Sequence, residues 1–278
     1  ISNGLGLSCI TVFLCKNYDN SPSMKEYNKE SEEENNLPEV ELRLNKYIAN
    51  AGISSRRGAD IIIAEGRVTV NGKLVKELGV KVKSTDKILV DSKLISAEEK
   101  KYVLVNKPRN VICTNSDEKG RRAITDLLPP NLQHLYPVGR LDRNTTGIIL
   151  LTNDGELTQN LLHPTKKVKK VYKAKVEKQL TQQELDQMVT GVELEDGASK
   201  FDKIVELRED EFFRYGIEIH SGKNRVIRRM FDAIGSPIIK LDRVMFHTFD
   251  KKGIPMGMHR ELTVKELKNL GVYLRTTK

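Results

Sequence analysis

The chain has few cysteines: three in 278 residues, Cys9, Cys15 and Cys113. An odd, sparse set excludes a disulfide framework and suits a reducing cytoplasm. Cys9 and Cys15 have no neighbour that would complete a zinc set, and no histidine cluster supports another metal. Long hydrophobic runs are also missing. No stretch reaches the length of a membrane span. Residues 5–14 are fairly apolar, but the stretch is short, follows no basic segment and lacks a clear cleavage signature. No internal repeat is present, nor a motif for a nucleotide, a redox cofactor or a metal. Because the chain begins at Ile1, Met24 is the expected natural start, with the residues before it a fragment or an artefact.

What is present is charge. Charged residues make up 31% of the chain and hydrophobic ones 38%, and the formal net charge is +9. That composition describes a globular core under a highly charged surface, and the sign implies an anionic partner. The length suits one large domain plus a small one.

Residues 1–40 are expected to be a disordered or artefactual leader; from about Ser21 to Pro38 they are polar and acidic without core periodicity, with Glu30, Glu32, Glu33 and Glu34 close together. A small unit is expected over 41–99. Leu44, Tyr47, Ile48 and Ala51 recur at helical spacing until Gly52 stops the helix, with Arg43, Lys46 and Asn50 on the opposite face. A second helix is predicted after an N-cap at Ser54 or Ser55 and runs to Glu65. Arg56 and Arg57 lie in its first turn, where the macrodipole disfavours cations. A choice that works against local stability points to a task, here contact with phosphate. A strand through Val68 ends at an Asn71-Gly72 turn, and another lies near Ile88.

A larger α/β region is expected over 100–278. Strands are predicted around Tyr102, from Gly147 to Thr152, from Val171 to Val176, from Phe212 to His220 and from Ile238 to Phe249. Helices are predicted from a Thr181-x-x-Glu184 capping box to Gly191, from Asn224 to Ile234, and from Thr263 to near Gly271. Strands outnumber helices and mostly alternate. The fold class is therefore α+β, a mixed, largely antiparallel sheet with helices packed on it.

The densest chemistry lies in Gly139-Arg140-Leu141-Asp142-Arg143-Asn144-Thr145-Thr146-Gly147, where one aspartate sits between two arginines at a tight turn before a buried strand. Flanking cations keep such a carboxylate ionised. A second segment, Lys169-Lys170-Val171-Tyr172-Lys173, places an aromatic ring among lysines, and Lys166, Lys167, Lys169 and Lys170 read as phosphate contacts. In a third, Ser221-Gly222-Lys223-Asn224-Arg225-Val226-Ile227-Arg228-Arg229-Met230-Phe231, a helical wheel gathers Val226, Ile227, Met230 and Phe231 on one face. Arg225 and Arg229 point away from that face and Arg228 lies at its border, where it can bury its stem and offer its guanidinium to a carboxylate.

These three segments resemble the motifs of pseudouridine synthases, in the branch that modifies uridines in ribosomal RNA (the RsuA/RluB type). Lys107-Pro108-Arg109-Asn110 is similar to the family's Lys-Pro-x-Gly, with Asn110 in place of glycine. Asparagine tolerates a left-handed backbone next best. In Ile254-Pro255-Met256-Gly257-Met258-His259, His259 stands where the family often has an aromatic residue, and is expected to pack. Gly120-Arg121-Arg122, His163-Pro164 and the segment from Gly191 to Gly197 resemble the members acting on the large subunit. The small unit, through Arg43-Leu44-Asn45-Lys46, Ser54-Ser55-Arg56-Arg57 and Gly66-Arg67-Val68-Thr69-Val70-Asn71-Gly72, resembles the RNA-binding domain of the ribosomal-protein S-four type.

The resemblance implies a uridine isomerase with Asp142 as nucleophile, Tyr172 packed on the target base and Arg228 as partner of Asp142. Attack on the base, attack on the sugar and removal of a ribose proton all remain open as its route. RNA contacts are implied for Arg43, Lys46, Arg56, Arg57, Arg67, Lys107, Arg140, Lys223, Asn224 and Arg225. The implied partner is ribosomal RNA or an assembling ribosomal subunit, met by a cytoplasmic monomer that needs no metal, small-molecule cofactor or membrane. Two other readings compete on this fold, a non-catalytic RNA-binding assembly factor and a synthase acting on the small subunit. A nuclease is disfavoured, since no metal-binding carboxylate cluster or histidine pair is evident.

Overall fold

The computed structural model describes residues 41–83, 85–96, 98–114, 120–208 and 214–271. The expected leader, Cys9, Cys15 and the start of the strand placed from Phe212 lie outside them. The chain divides into two compact units, 1–99 and 100–278.

In the first unit, β1 (Leu42–Arg43) leads directly into α1 (Leu44–Asn50), which buries Leu44, Tyr47 and Ile48. Gly52, at φ +73°, takes the chain out of the helix. Ser55 caps α2 (Arg56–Ala64) by accepting a hydrogen bond from the Gly58 N–H at 3.1 Å. A four-stranded sheet follows, of order β3-β2-β5-β6, from β2 (Val68–Val70), β3 (Lys73–Val75), β5 (Ile88–Val90) and β6 (Lys93–Leu94). The β2–β3 hairpin turns on Asn71 and Gly72, both at positive φ, as an Asn-Gly turn of the primed type requires. The short β4 (Lys81–Val82) pairs with β1. Leu44, Ile48, Ile63, Val68 and Ile88 form the core.

The second unit is built on a nine-stranded sheet. Its strands are β7 (Tyr102–Lys107), β8 (Tyr136–Pro137), β9 (Thr145–Thr152), β10 (Lys170–Val176), β11 (Lys203–Glu206), β12 (Tyr215–Ile219), β13 (Ile238–Phe246), β14 (Phe249–Asp250) and β15 (His259–Glu261). The main order is β11-β12-β10-β13-β9-β7-β15, with β8 beside β9 and β14 beside β13. The β9–β13 pair is parallel and the other described pairs are antiparallel.

Central strands are covered on both faces. Ile149 and Leu151 of β9 face one core, Ile148 and Leu150 the other. Burial on both sides is why β9 reads as a continuous apolar run rather than an alternation. On the first face, α5 (Val226–Ala233) inserts Val226, Ile227, Met230 and Phe231. Each large side chain buried this way contributes about 1.5–3 kcal/mol. The other face is covered by α3 (Gly155–Leu162) and α6 (Val264–Asn269), through Leu161 and Leu267. The capping box at Thr181 opens α4 (Gln182–Thr190). Among the described residues no helix is long and apolar enough to cross a membrane.

Candidate active site

Asp142 sits in the turn that feeds β9, and its carbonyl accepts a hydrogen bond from the Thr145 N–H at 3.0 Å. The turn is braced from the segment after β7. The Asn110 N–H donates to the Arg143 carbonyl at 2.9 Å, with Asn110 at φ +67°, the left-handed backbone expected of it. The Leu141 N–H donates to Cys113 Sγ at 3.3 Å. Lys107 Nζ donates to the carbonyls of Val111 (2.8 Å), Pro108 (3.0 Å) and Arg143 (3.4 Å). Lys107 is wholly buried. The RNA contact expected of it is corrected: the end of β7 is covered on both faces, and its ammonium is used up on three carbonyls. Burial pushes that ammonium down to about 8.

Two arginines face the Asp142 carboxylate, whose side chain is 29% exposed. Arg225 Nη1 lies 3.4 Å from Oδ2 and Arg228 Nε lies 3.7 Å from the same oxygen. Arg228 is buried, and its other nitrogens donate to the Ile238 carbonyl (3.2 Å) and Thr145 Oγ1 (3.4 Å). Its guanidinium therefore ties α5 to β13 and to the Asp142 turn, and it approaches the carboxylate through Nε alone. Burial, with the Arg225 cation next, lowers its pKa from the ordinary arginine range.

The helix expected from Asn224 begins only at Val226. Arg225 precedes it at φ +47°, and this left-handed backbone brings its side chain back to Asp142 instead of out along a helix face. The preceding loop is anchored from beneath. Lys223 Nζ donates to the carbonyls of Asp196 and Gly197, both at 2.9 Å. Arg229 pairs with both Asp196 oxygens at 2.8 and 2.9 Å and donates to the Asn224 carbonyl. Lys223, expected to contact RNA, thus has its ammonium committed within the fold.

Tyr172, on β10, is nearly buried, and it lines a cavity of about 650 Å³ together with Asp142, Arg228, Lys170 and Arg243. Lys170 was expected to meet phosphate. Instead it donates to the carbonyls of His220 (2.8 Å) and Ser221 (3.3 Å), and burial followed by the Arg243 cation pushes it down to about 8. Lys169 is paired with Glu218 at 2.8 Å. A second cleft, about 570 Å³, opens on the other side of Asp142 and is lined by Arg121, Arg140, Arg143, Lys223, Asn224 and Arg225. Asp142 therefore stands where a partly apolar cavity meets a strongly basic cleft.

The remaining cations expected to contact RNA lie in the first unit. Arg43, Arg56 and Arg57 are exposed and Lys46 is half-buried. Arg67 is exposed but already neutralised, held by Asp91 at 2.6 and 2.8 Å and by Glu65 at 3.0 Å, which together hold its pKa above the ordinary arginine value. Sequence reasoning passed over Arg243. It is almost fully buried, stands directly across from Tyr172 in the β10–β13 register, and pairs with no carboxylate among the described residues. The signal available was its place in the strand-like run Leu241-Asp242-Arg243-Val244, where two charges interrupt an apolar pattern. Asp242 is accounted for by Lys251 and by Thr146 Oγ1 at 2.6 Å.

Comparison with known proteins agrees with this organisation. The RNA pseudouridylate synthase family model matches residues 101–233 and the S4 domain model matches 42–88. The chain is 44% identical to a ribosomal large subunit pseudouridine synthase B of Bacillus subtilis, over 82% of this chain and 95% of that protein. It is 39% identical to an RNA pseudouridine synthase of Aquifex aeolicus, over 83% of this chain and 94% of that protein. A solved pseudouridylate synthase structure, 28% identical, superposes with a TM-score of 0.59 and covers 82% of this chain and 99% of that one. The likeness to the Bacillus protein runs through both units, and the chain belongs to the RNA pseudouridine synthase family, with an N-terminal S4 domain.

Proposed function

We propose that this enzyme isomerises a specific uridine of large-subunit ribosomal RNA to pseudouridine, with Asp142 as the nucleophile. One observation carries the reading: the Asp142 carboxylate faces Arg225 and Arg228 at the rim of a cavity that Tyr172 also lines. A uridine flipped out of RNA loses its stacking, and a nearly buried tyrosine beside the carboxylate supplies an aromatic face in return. The basic cleft beyond Asp142 suits the flanking phosphates. The names of the relatives in Bacillus subtilis and Pseudomonas aeruginosa favour the large subunit. The reaction moves the base from its nitrogen to its carbon linkage with no change of redox state, so it calls for no redox cofactor.

The test is a pseudouridine map of ribosomal RNA from cells with and without the gene. The expected result is loss of modification at one uridine of the large subunit, restored by the wild-type gene and not by Asp142→Asn. Loss confined to the small subunit would overturn the choice of substrate. An unchanged map would overturn the assignment to ribosomal RNA.

A further inference from the structure

Arg243 is a buried cation that nothing described so far requires. It is 3% exposed at the centre of the sheet. Its backbone lies between Tyr172 of β10 and Gly147 of β9. The approach to β9 is close: a Cβ on Gly147 would lie 2.2 Å from the Arg243 carbonyl oxygen. The guanidinium donates from Nε to the Ile148 carbonyl at 2.8 Å and rests 4.8 Å from the centre of the Phe246 ring. Its Nη2 has no hydrogen-bond partner, and no carboxylate among the described residues pairs with it. A buried, unpaired charge costs several kcal/mol, so it is retained where something transient compensates it. Arg243 lines the cavity that holds Asp142 and Tyr172, and among the described residues Asp142 is the one carboxylate lining it, already facing two other arginines.

Resting on the uridine isomerisation proposed above, we infer that Arg243 is a catalytic residue whose guanidinium donates to a carbonyl oxygen of the target uracil and stabilises the negative charge the base acquires. That charge arises by every open route. Attack of a carboxylate on C6 of the base pushes electrons onto the C4 carbonyl oxygen. Attack on the sugar, or removal of its C2′ proton, breaks the C1′–N1 bond with the electron pair going to the base, where O2 and O4 share it. The C1′–N1 bond, still intact after attack on C6, breaks in that route too; the base then turns and C5 bonds to C1′, while the carboxylate is released from C6, is displaced from C1′, or returns its proton to C2′, according to the route. The C5 proton then leaves to solvent and N1 takes one up. A fixed cation placed where charge develops is the arrangement that lowers such a barrier. Phosphate is the poorer occupant. The RNA backbone is served by exposed Arg140 and Arg143, whereas Arg243 sits deep in the sheet.

The experiment uses the full chain and large-subunit ribosomal RNA transcribed with [5-³H]uridine, reading tritium release in a single turnover. Arg243→Met and Arg243→Lys are compared with wild type, alongside RNA affinity by filter binding and the thermal midpoint. The expected result is a fall in the single-turnover rate of about 10²–10³-fold for Arg243→Met, the scale for losing one preorganised donor. Affinity should stay within about threefold of wild type. Arg243→Lys, which keeps the charge and the fold, should still lose at least about tenfold, because one ammonium cannot hold the Ile148 carbonyl and reach the base as well. Should Arg243→Met fail to fold, the lysine variant decides alone. A wild-type rate in Arg243→Lys, an affinity loss without a rate loss, or a rate loss recovered on cooling below a lowered midpoint would each overturn the inference. If wild type released no tritium, the isomerase reading would fail and this inference with it.

Discussion

Arg225 Nη1 lies 3.4 Å from Asp142 Oδ2, closer than the buried Arg228. The two cations differ in what they cost to remove. Arg225 is half exposed and loosely placed, so its contribution is screened by solvent. Arg228 is buried and also holds the Ile238 carbonyl and Thr145. Arg225→Ala should lower the single-turnover rate by about tenfold, or ~1.4 kcal/mol, and Arg228→Ala by more than about 10²-fold. Arg229→Ala should be milder at the chemical step, since Arg229 pairs with Asp196 and not with Asp142. Single-turnover rates at saturating enzyme rank the three. A dead Arg229→Ala enzyme beside an active Arg228→Ala would refute the ranking.

Asp142→Asn keeps the shape of the side chain and removes its charge. Pseudouridine formation should vanish while RNA affinity stays near wild type or rises, because one negative charge leaves a cleft lined by Arg140, Arg143 and Arg225. Tritium release and filter binding on the same preparation separate the two effects. Residual turnover near the wild-type rate would remove Asp142 from the chemistry.

Local chemistry made much of this legible in the sequence. The Ser55 cap, the Thr181 capping box and the Asn71-Gly72 hairpin are written in residues that satisfy their own backbone. The left-handed turn at Asn110 follows from the short list of side chains that tolerate it. What stayed hidden depends on contacts distant along the chain. Arg225 carries no sign of its left-handed backbone, since an arginine before an apolar helix reads as helical. Lys107 and Lys170 read as surface cations because distant carbonyls, of residue 143 for Lys107 and of residues 220 and 221 for Lys170, accept hydrogen bonds from their ammonium groups. Arg243 leaves only the weak signal of a charge in an apolar strand, because such a charge is ordinarily at the surface and the pairing of β13 with both β9 and β10 is what buries it.

The buried Lys107 ammonium gives a pH signature. Its folded pKa, about 8, lies below the ordinary lysine value of 10.5. Between those values the unfolded chain binds more protons than the folded one, so this group makes stability rise with pH through that window. Below pH 8 the burial penalty is present in full, on the order of 3 kcal/mol. Lys107→Met lacks the titration. The stability of wild type minus that of Lys107→Met should therefore increase from pH 8 to pH 10, read from urea midpoints of the two proteins. Lys170 titrates in both and cancels. A flat or falling difference would show that Lys107 stays charged when folded. At neutral pH the variant should also lose turnover, because the Arg143 carbonyl loses a donor beside Asp142.

Arg56 and Arg57 allow a test in which binding and stability move in opposite directions. They occupy the first turn of α2, where unsatisfied N–H groups and the macrodipole make a cation unfavourable, and no acidic residue in that turn offsets them. Both are exposed. Replacing both with alanine should leave the fold intact and stabilise it slightly, by about 0.3–1 kcal/mol. If they neutralise phosphates, the same change should weaken binding to ribosomal RNA fragments. Each lost contact should reduce the slope of log affinity against log salt by about 0.7 on single-stranded RNA and about 0.9 on a duplex. The single-turnover rate at saturation should not change, because the chemistry lies in the other unit. A salt series of filter-binding curves and a thermal melt of the double variant provide both readouts. A raised midpoint with an unchanged salt slope would mean that these arginines do not meet the RNA backbone, and would move the docking face of the S4 domain elsewhere.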